Sequence, residues 1–198
     1  MGFTALFGGT FNPPHIGHYE MLKALEKRRD IDEIWLMPDR IPPHKVCDCL
    51  ANDADRINMC RIIAEDFKKT KLCLIEFERT GKSYSYDTVK LLKQKYTERD
   101  FIFVCGGDML ISFDKWYKYE DLLKEIPFLV FRRTETDGDL FDKAAEKYKN
   151  MGMRLFVSDS AVPQVSSSYI RNNIAKSEKL LPKKVYEYIS TGGIYGGK

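Results

Sequence analysis

The chain has 198 residues, of which 43% are hydrophobic and 13% aromatic. This composition is typical of a globular protein with a sizeable core and excludes a disordered chain. The 32 basic residues exceed the 29 acidic ones by only three, a charge balance that speaks against a nucleic-acid-binding or membrane-surface protein. At this length we expect one domain, residues 1–198.

Short apolar runs and helical patterns alternate along the chain. The runs predict strands at 3–7, 34–37, 72–75, 101–105, 128–131 and 155–157. Apolar spacings of three and four predict helices near 21–25, 57–67, 89–96 and 182–192. Continuous apolar strands separated by helices indicate an α/β fold, a doubly wound (Rossmann-like) parallel sheet with helices on both faces in a single domain. Ligands of such sheets bind beyond the carboxyl ends of the strands.

Targeting signals and a disulfide framework are not expected. Residues 1–17 contain no Lys or Arg, and no run approaches the ~20 apolar residues of a membrane helix. The five cysteines are odd in number and unevenly spaced. We therefore expect a cytoplasmic protein with no membrane or nucleic-acid partner. His44, Cys47, Cys49 and Cys60 are suitable zinc ligands, but their spacing matches no standard finger, so free thiols are the favoured interpretation.

The loop after the first strand carries the strongest chemical signal. Residues 8–18 read Gly-Gly-Thr-Phe-Asn-Pro-Pro-His-Ile-Gly-His, and a helix follows. The paired glycines let the backbone approach a bulky anion, and the helix start adds N–H donors and a positive dipole end. His15 and His18 are placed to face the same phosphate, the alternative being that they only cap the helix.

This segment resembles known signatures. The tetrapeptide 15–18 is that of class I aminoacyl-tRNA synthetases, but 198 residues leave no room for an anticodon-binding part. The longer segment resembles the bacterial nicotinate mononucleotide adenylyltransferase family of the nucleotidyltransferase superfamily far more closely. Further segments match that family in order: Pro-His-Lys at 43–45, the block 79–88, Gly-Gly-Asp at 106–108 with Trp-Tyr at 116–117, and Val-Ser-Ser-Ser-Tyr-Ile-Arg at 165–171.

The resemblance implies transfer of AMP from MgATP to nicotinate mononucleotide, giving deamido-NAD and pyrophosphate in NAD biosynthesis. The mononucleotide phosphate attacks the α-phosphorus in line, without a covalent enzyme intermediate. Such chemistry depends on positioning and charge neutralisation, and the sequence shows no Ser-His-Asp or Cys-His nucleophile constellation. The implied cofactor is Mg²⁺ arriving on ATP, held largely by phosphates and water, and no protein metal site is expected. A homo-oligomer is left open.

The resemblance also assigns roles to residues. Catalysis is assigned to His15, His18 and Arg171. ATP and its phosphates are assigned to Gly8, Gly9, Thr10, Phe11, His15, His18, Gly106, Asp108, Ser166, Ser167, Ser168, Ile170 and Arg171. The mononucleotide is assigned to Asn12, His44, Lys45, Ser85, Trp116 and Tyr117. The alternative interpretations are a plain serine cap at 166–168, a helix cap at Asp108, a solvated Lys45 and a core Trp116.

Several alternatives stay open at this point. Ser85 stands where the family usually has Thr, so the selectivity for nicotinate over nicotinamide is undecided, and a nicotinamide-preferring or dual enzyme is one alternative. Asn12, where many relatives have Asp, is expected to alter metal dependence. Phosphopantetheine as acceptor, or cytidylyl transfer, is disfavoured by residues 83–88 and 116–117. A non-catalytic nucleotide sensor is the alternative from another class. Residues 40–55 are predicted to form a loop over the sheet, hypothetically a closing lid.

Overall fold

The structure, a computed structural model, describes residues 2–42, 50–132 and 138–196. Its strands are β1 (Phe3–Gly9), β2 (Ile31–Pro38), β3 (Thr70–Leu72), β4 (Phe101–Gly106), β5 (Phe128–Phe131) and β6 (Leu155–Ser158). They form one sheet in the order β3-β2-β1-β4-β5-β6, and every neighbouring pair is parallel. The predicted doubly wound α/β fold is confirmed.

Helices cover both faces of this sheet. They are α1 (Ile16–Glu26), α2 (Asp53–Ala64), α3 (Ser85–Lys95), α4 (Gly107–Ile111), α5 (Tyr119–Glu125), α6 (Gly138–Asn150), α7 (Ser167–Asn172) and α8 (Lys183–Gly192). Side chains of α1, α2 and α8 pack on one face in a core that contains Ala5 and Phe7. Side chains of α3, α4, α5 and α6 pack on the other face in a core that contains Leu6. Successive residues of β1 therefore enter different cores, because side chains alternate across a strand.

Two predicted boundaries are wrong. The strand predicted at 72–75 ends at Leu72, and a 3-10 turn spans Ile75–Glu78. Ile75 is buried through this turn, and a short apolar run does not distinguish a buried turn from a strand. The loop predicted over 40–55 ends early, because the Asn52 side chain caps α2 by accepting a 2.8 Å hydrogen bond from the Asp55 N–H.

The strand order positions the site. β1 and β4 are neighbours at the point where the chain switches from building one side of the sheet to building the other. At such a switch point the loops after the two strands turn to opposite faces and leave a crevice between them. Here those loops begin at Gly9 and Gly106, so the glycine-rich segments face each other. In the parts of the chain that the structure describes, no helix is long and apolar enough to cross a membrane.

Candidate active site

A cleft of about 610 Å³ opens at the carboxyl ends of β1, β2 and β4. Most of the site residues predicted from the sequence line it. These are Gly8, Gly9, Thr10, Phe11, Asn12, His15, His18, Ser85, Gly106, Asp108, Trp116, Tyr117, Ser166, Ser167, Ser168 and Arg171. Residues from both ends of the chain therefore form one site.

The glycine loop is shaped by a close ring contact. Phe11 has a φ of 46°, a left-handed conformation that costs a bulky residue on the order of 1 kcal/mol. This conformation lays the Phe11 ring over Gly9, where a Cβ would stand 3.1 Å from a ring carbon. A side chain at residue 9 would press against this ring, so Gly9 suits the packing as well as the approach of an anion. The Phe11 ring also meets Phe7 and His18 edge-on, with centroids 5.6 and 5.0 Å away.

The two histidines lie together at the start of α1. His15 is the N-cap residue, and its backbone N–H donates to His18 Nδ1 at 3.2 Å. The two imidazoles stack with centroids 3.7 Å apart. Helix capping, the alternative interpretation, is thus present in the structure. Both rings nevertheless line the cleft, so capping and substrate contact are compatible.

Gly17 allows α1 to approach a distant part of the chain. A Cβ at this position would lie 2.9 Å from the carbonyl oxygen of Pro163. Helix α1 therefore packs directly on the segment that leads into α7. This contact is one reason why the histidine loop and the serine-rich segment share a cleft.

Helix α7 is tied to the first loop. Ser166 caps the helix and its Oγ accepts from the Tyr169 N–H at 3.4 Å. Ser167 donates through its hydroxyl to the Pro13 carbonyl at 2.9 Å. The Arg171 guanidinium donates to the Asn12 carbonyl at 2.7 Å and to Ser168 Oγ at 3.1 Å. A cation, two hydroxyls and a helix start thus adjoin the glycine loop, a combination suited to phosphate groups.

Aromatic rings line the other end of the cleft. Trp116 is half-buried and meets Phe103 edge-on with centroids 5.7 Å apart. The ring centroids of Tyr84 and Tyr117 lie 4.5 Å apart. Ser85, which follows Tyr84 in the sequence, is the first residue of α3. Trp116 therefore has core contacts and cleft exposure together. This end suits a planar ring with a polar substituent.

Sequence reasoning missed Asp39 and Arg56, which support the end of the cleft that is suited to phosphate groups. Arg56 is completely buried and donates to the carbonyls of Thr10, Asp39 and Arg40. Its guanidinium also pairs with Asp39 Oδ1 at 3.2 Å and with Asp53 Oδ1 at 2.7 Å. Asp39 in turn accepts from the Thr10 hydroxyl at 3.0 Å. Neither residue lies in a recognisable motif; the position of Asp39 directly after β2 was the available signal.

Glu76 was also missed. Its side chain is buried, lines the cleft and hydrogen-bonds to the Thr88 hydroxyl. Arg79 donates to the same hydroxyl at 3.2 Å and approaches Asp87 at 3.4 Å. Three polar residues of the block 79–88 therefore form a network with Glu76, which precedes the block. The resemblance included the three block residues but not Glu76, and it did not reveal which of them face each other.

Three predicted site residues are not among the described residues that line the cleft, namely Ile170, His44 and Lys45. The Ile170 side chain is completely buried in the core with α1, α2 and α8 and does not line the cleft. Successive residues of a helix are turned by about 100°, so residue 170 points into the core while its neighbour, residue 171, lines the cleft. His44 and Lys45 lie outside the described residues. Cys60 is completely buried, and burial raises the pKa of its thiol. The other three residues of the zinc interpretation lie outside the described residues.

Comparison with known proteins agrees with this geometry. A family model for cytidylyltransferase-like proteins matches residues 6–173. The nicotinate-nucleotide adenylyltransferase of Bacillus subtilis is 37% identical over 194 residues, covering 96% of each chain. Two solved structures of Plasmodium falciparum nicotinic acid mononucleotide adenylyltransferase, complexed with APC and with NaAD, superpose with TM-scores of 0.78 and 0.79. These structures are 21% and 22% identical to this chain, and each comparison covers 98% of both chains.

The sheet is parallel in this strand order, and the glycine and histidine loop after β1 faces the serine and arginine helix α7. Together with the family-model match, this arrangement defines a nucleotidyltransferase of the cytidylyltransferase-like class. The family model spans most of the chain and the Bacillus subtilis enzyme matches over nearly its full length. The chain belongs to the nicotinate-nucleotide adenylyltransferase family within that class.

Proposed function

We propose that this protein transfers AMP from MgATP to nicotinate mononucleotide, forming deamido-NAD and pyrophosphate in NAD biosynthesis. The observation that carries the proposal is the meeting of the 8–18 loop with helix α7. The Ser167 hydroxyl bonds to the Pro13 carbonyl across 154 positions of sequence, and Arg171 bonds to Asn12 across 159. Donors from both segments thereby line one cleft.

The histidines are suited to the transferred phosphorus. His18 Nδ1 accepts from the His15 backbone, so in the neutral imidazole the proton resides on Nε2. The Nε2–H group is then a donor for an α-phosphate oxygen. A donor aimed at charge that develops in the transition state typically contributes about 2.7–4 kcal/mol.

The other residues bind and orient. The β- and γ-phosphates bind at α7, to Arg171, Ser167 and Ser168. These three residues stabilise the departing pyrophosphate. Asp108, at the end of β4, accepts hydrogen bonds from ribose hydroxyls. Mg²⁺ enters as part of the substrate MgATP, with phosphate oxygens and water as its main ligands and its charge opposing that of the phosphates.

The ring end selects the acceptor. Trp116 stacks on the pyridine ring. The Ser85 hydroxyl and the backbone at Tyr117 bind the nicotinate carboxylate. Discrimination against nicotinamide depends on these few contacts, because the two mononucleotides differ only in that substituent.

The decisive experiment is pyrophosphate release by the purified protein with MgATP and either mononucleotide. A kcat/KM ratio above ~10² in favour of nicotinate, about 2.7 kcal/mol, supports the proposal. Comparable rates identify a dual-specificity enzyme. MgATP binding without release on either acceptor contradicts the proposal and favours the nucleotide sensor. The cytoplasmic location and the oligomeric state stay predictions, and gel filtration with light scattering tests the latter.

A further inference from the structure

The carboxyl-terminal segment reaches back to the first loop. After α8 the chain turns at Gly193, with a φ of 62°, and the Ile194 N–H donates to the Ile189 carbonyl at 3.0 Å. Tyr195 follows with a φ of 60°, a sparsely populated conformation for a residue other than glycine. Such a conformation persists where its surroundings hold it in place.

That turn delivers the Tyr195 hydroxyl to Asn12, 183 positions away in the sequence. The hydroxyl donates to Asn12 Oδ1, and the Ala51 backbone N–H donates to the same oxygen at 3.0 Å. Asn12 is only 3% exposed and lines the cleft. The Ala51 N–H can only donate, so it fixes which way round the carboxamide stands, and the Tyr195 hydroxyl reinforces that orientation with a second hydrogen bond to Oδ1.

Asn12 is also the residue that holds Arg171. Its backbone carbonyl accepts from Arg171 Nη1 at 2.7 Å. Residue 12 therefore supplies a side-chain amide and, through its backbone carbonyl, holds the neighbouring guanidinium. Both groups carry hydrogen-bond donors, which suits the phosphate end of the cleft.

We propose that Tyr195 is a positioning residue that keeps the Asn12 carboxamide turned with its NH₂ group toward a substrate phosphate. The inference rests on the proposed function, since it specifies the contact made with the mononucleotide phosphate. Without the hydroxyl, the Asn12 carboxamide is held by the Ala51 N–H alone and departs more often from the orientation that presents its NH₂ group to an anion. Substrate binding then weakens, whereas the chemical step, which uses other groups, is preserved.

The test is a double-mutant cycle with Tyr195→Phe and Asn12→Ala. Tyr195→Phe keeps the ring that packs against the core and removes only the hydroxyl. We expect a KM for nicotinate mononucleotide about tenfold higher and a kcat within about twofold, the pattern of a lost binding contact. The double variant should bind nicotinate mononucleotide no more weakly than Asn12→Ala alone, because the Tyr195 hydroxyl acts through the Asn12 side chain.

Tyr188→Phe is the matched control. The Tyr188 hydroxyl also joins the carboxyl-terminal helix to the body of the protein, donating to Asp55 at 2.8 Å and accepting from Asn58 at 3.0 Å. Loss of this hydroxyl should lower the melting temperature without raising the KM. Equal KM values for wild type and Tyr195→Phe, equal KM changes in both tyrosine variants, or fully additive effects in the cycle would overturn the inference.

Calorimetric titration of the same variants with MgATP and nicotinate mononucleotide separates this inference from the proposed function. If the wild type binds both ligands but releases no pyrophosphate, the proposed activity fails while the dissociation constants still test Tyr195. A roughly tenfold weaker mononucleotide affinity in Tyr195→Phe then supports the positioning role. An unchanged affinity contradicts it, and a wild type that binds neither ligand contradicts both proposals.

Discussion

The guanidinium of Arg56 lies completely buried against Asp39, with 3.2 Å between Nη1 and Oδ1. The same guanidinium bonds to backbone carbonyls after β1 and after β2. One side chain thus joins two of the strand ends that form the cleft. A buried charge is tolerated here because it has several hydrogen-bond partners.

Arg56→Met should destabilise the protein by about 3–5 kcal/mol, since it leaves Asp39 and the carbonyls without their donor. Urea unfolding measures the loss. Arg61→Ala on the same helix is the control, because Arg61 is exposed and its guanidinium donates to Asn58; its change should lie within about 0.5 kcal/mol. A loss below about 1 kcal/mol for Arg56→Met would refute the structural role.

His18→Ala should lower kcat for pyrophosphate release by roughly 10²-fold or more, because it removes a donor to the transition state. Lys23→Ala, on the exposed face of the same helix, should leave kcat unchanged. Thermal melts of both variants show whether the fold is intact. Near-normal turnover in a folded His18→Ala variant would disprove the assignment.

Ser85→Ala should reduce kcat/KM for nicotinate mononucleotide about 10–100-fold through loss of a hydrogen bond to a charged group. Ser85→Thr keeps the hydroxyl and should retain the nicotinate preference. For each variant, kcat/KM with nicotinate mononucleotide divided by kcat/KM with nicotinamide mononucleotide gives the selectivity ratio. Ser190→Ala is the control for this ratio, since Ser190 is exposed on α8 and does not line the cleft. An unchanged ratio in Ser85→Ala would remove Ser85 from the carboxylate contact.

The lowered pKa of Glu33 predicts that the stability of the protein depends on pH. Burial alone would raise its pKa, but hydrogen bonds from Lys71 and Trp35 outweigh burial and, with the charge of a nearby arginine, hold the pKa below its usual value. The Trp35 indole donates to Glu33 at 2.7 Å. Because the pKa is lower in the folded state, the stabilisation is complete above the unfolded pKa and is lost as pH falls through the folded one.

The free energy of unfolding of the wild type should therefore exceed that of Glu33→Gln at neutral pH. The difference should shrink as pH falls from about 5 to about 3. Denaturant titrations at each pH measure it, with Glu98→Gln, an exposed carboxylate, as control. A difference that stays constant over this range would show that Glu33 stabilises by packing and not by charge.

Local signals in the sequence sufficed for the sheet and for much of the site. A buried parallel strand is a continuous apolar run, and the glycine and histidine loop directly follows one, so both are visible without tertiary information. The serine-rich segment before Arg171 is likewise a local helix signature. The third strand was misplaced because Ile75 is buried through a turn, which a short apolar run also permits.

The tertiary structure decided the contacts between distant segments. Asp39, Arg56 and Tyr195 carry no motif of their own. Asp39 accepts from Thr10 across 29 positions of sequence, Arg56 donates to Thr10 across 46, and Tyr195 donates to Asn12 across 183. Ile170 shares a motif with cleft residues yet points into the core, because helical geometry separates neighbours by about 100°. Sequence thus determined which chemistry is available, whereas side-chain direction and the meeting of loops at the switch point determined which groups act together.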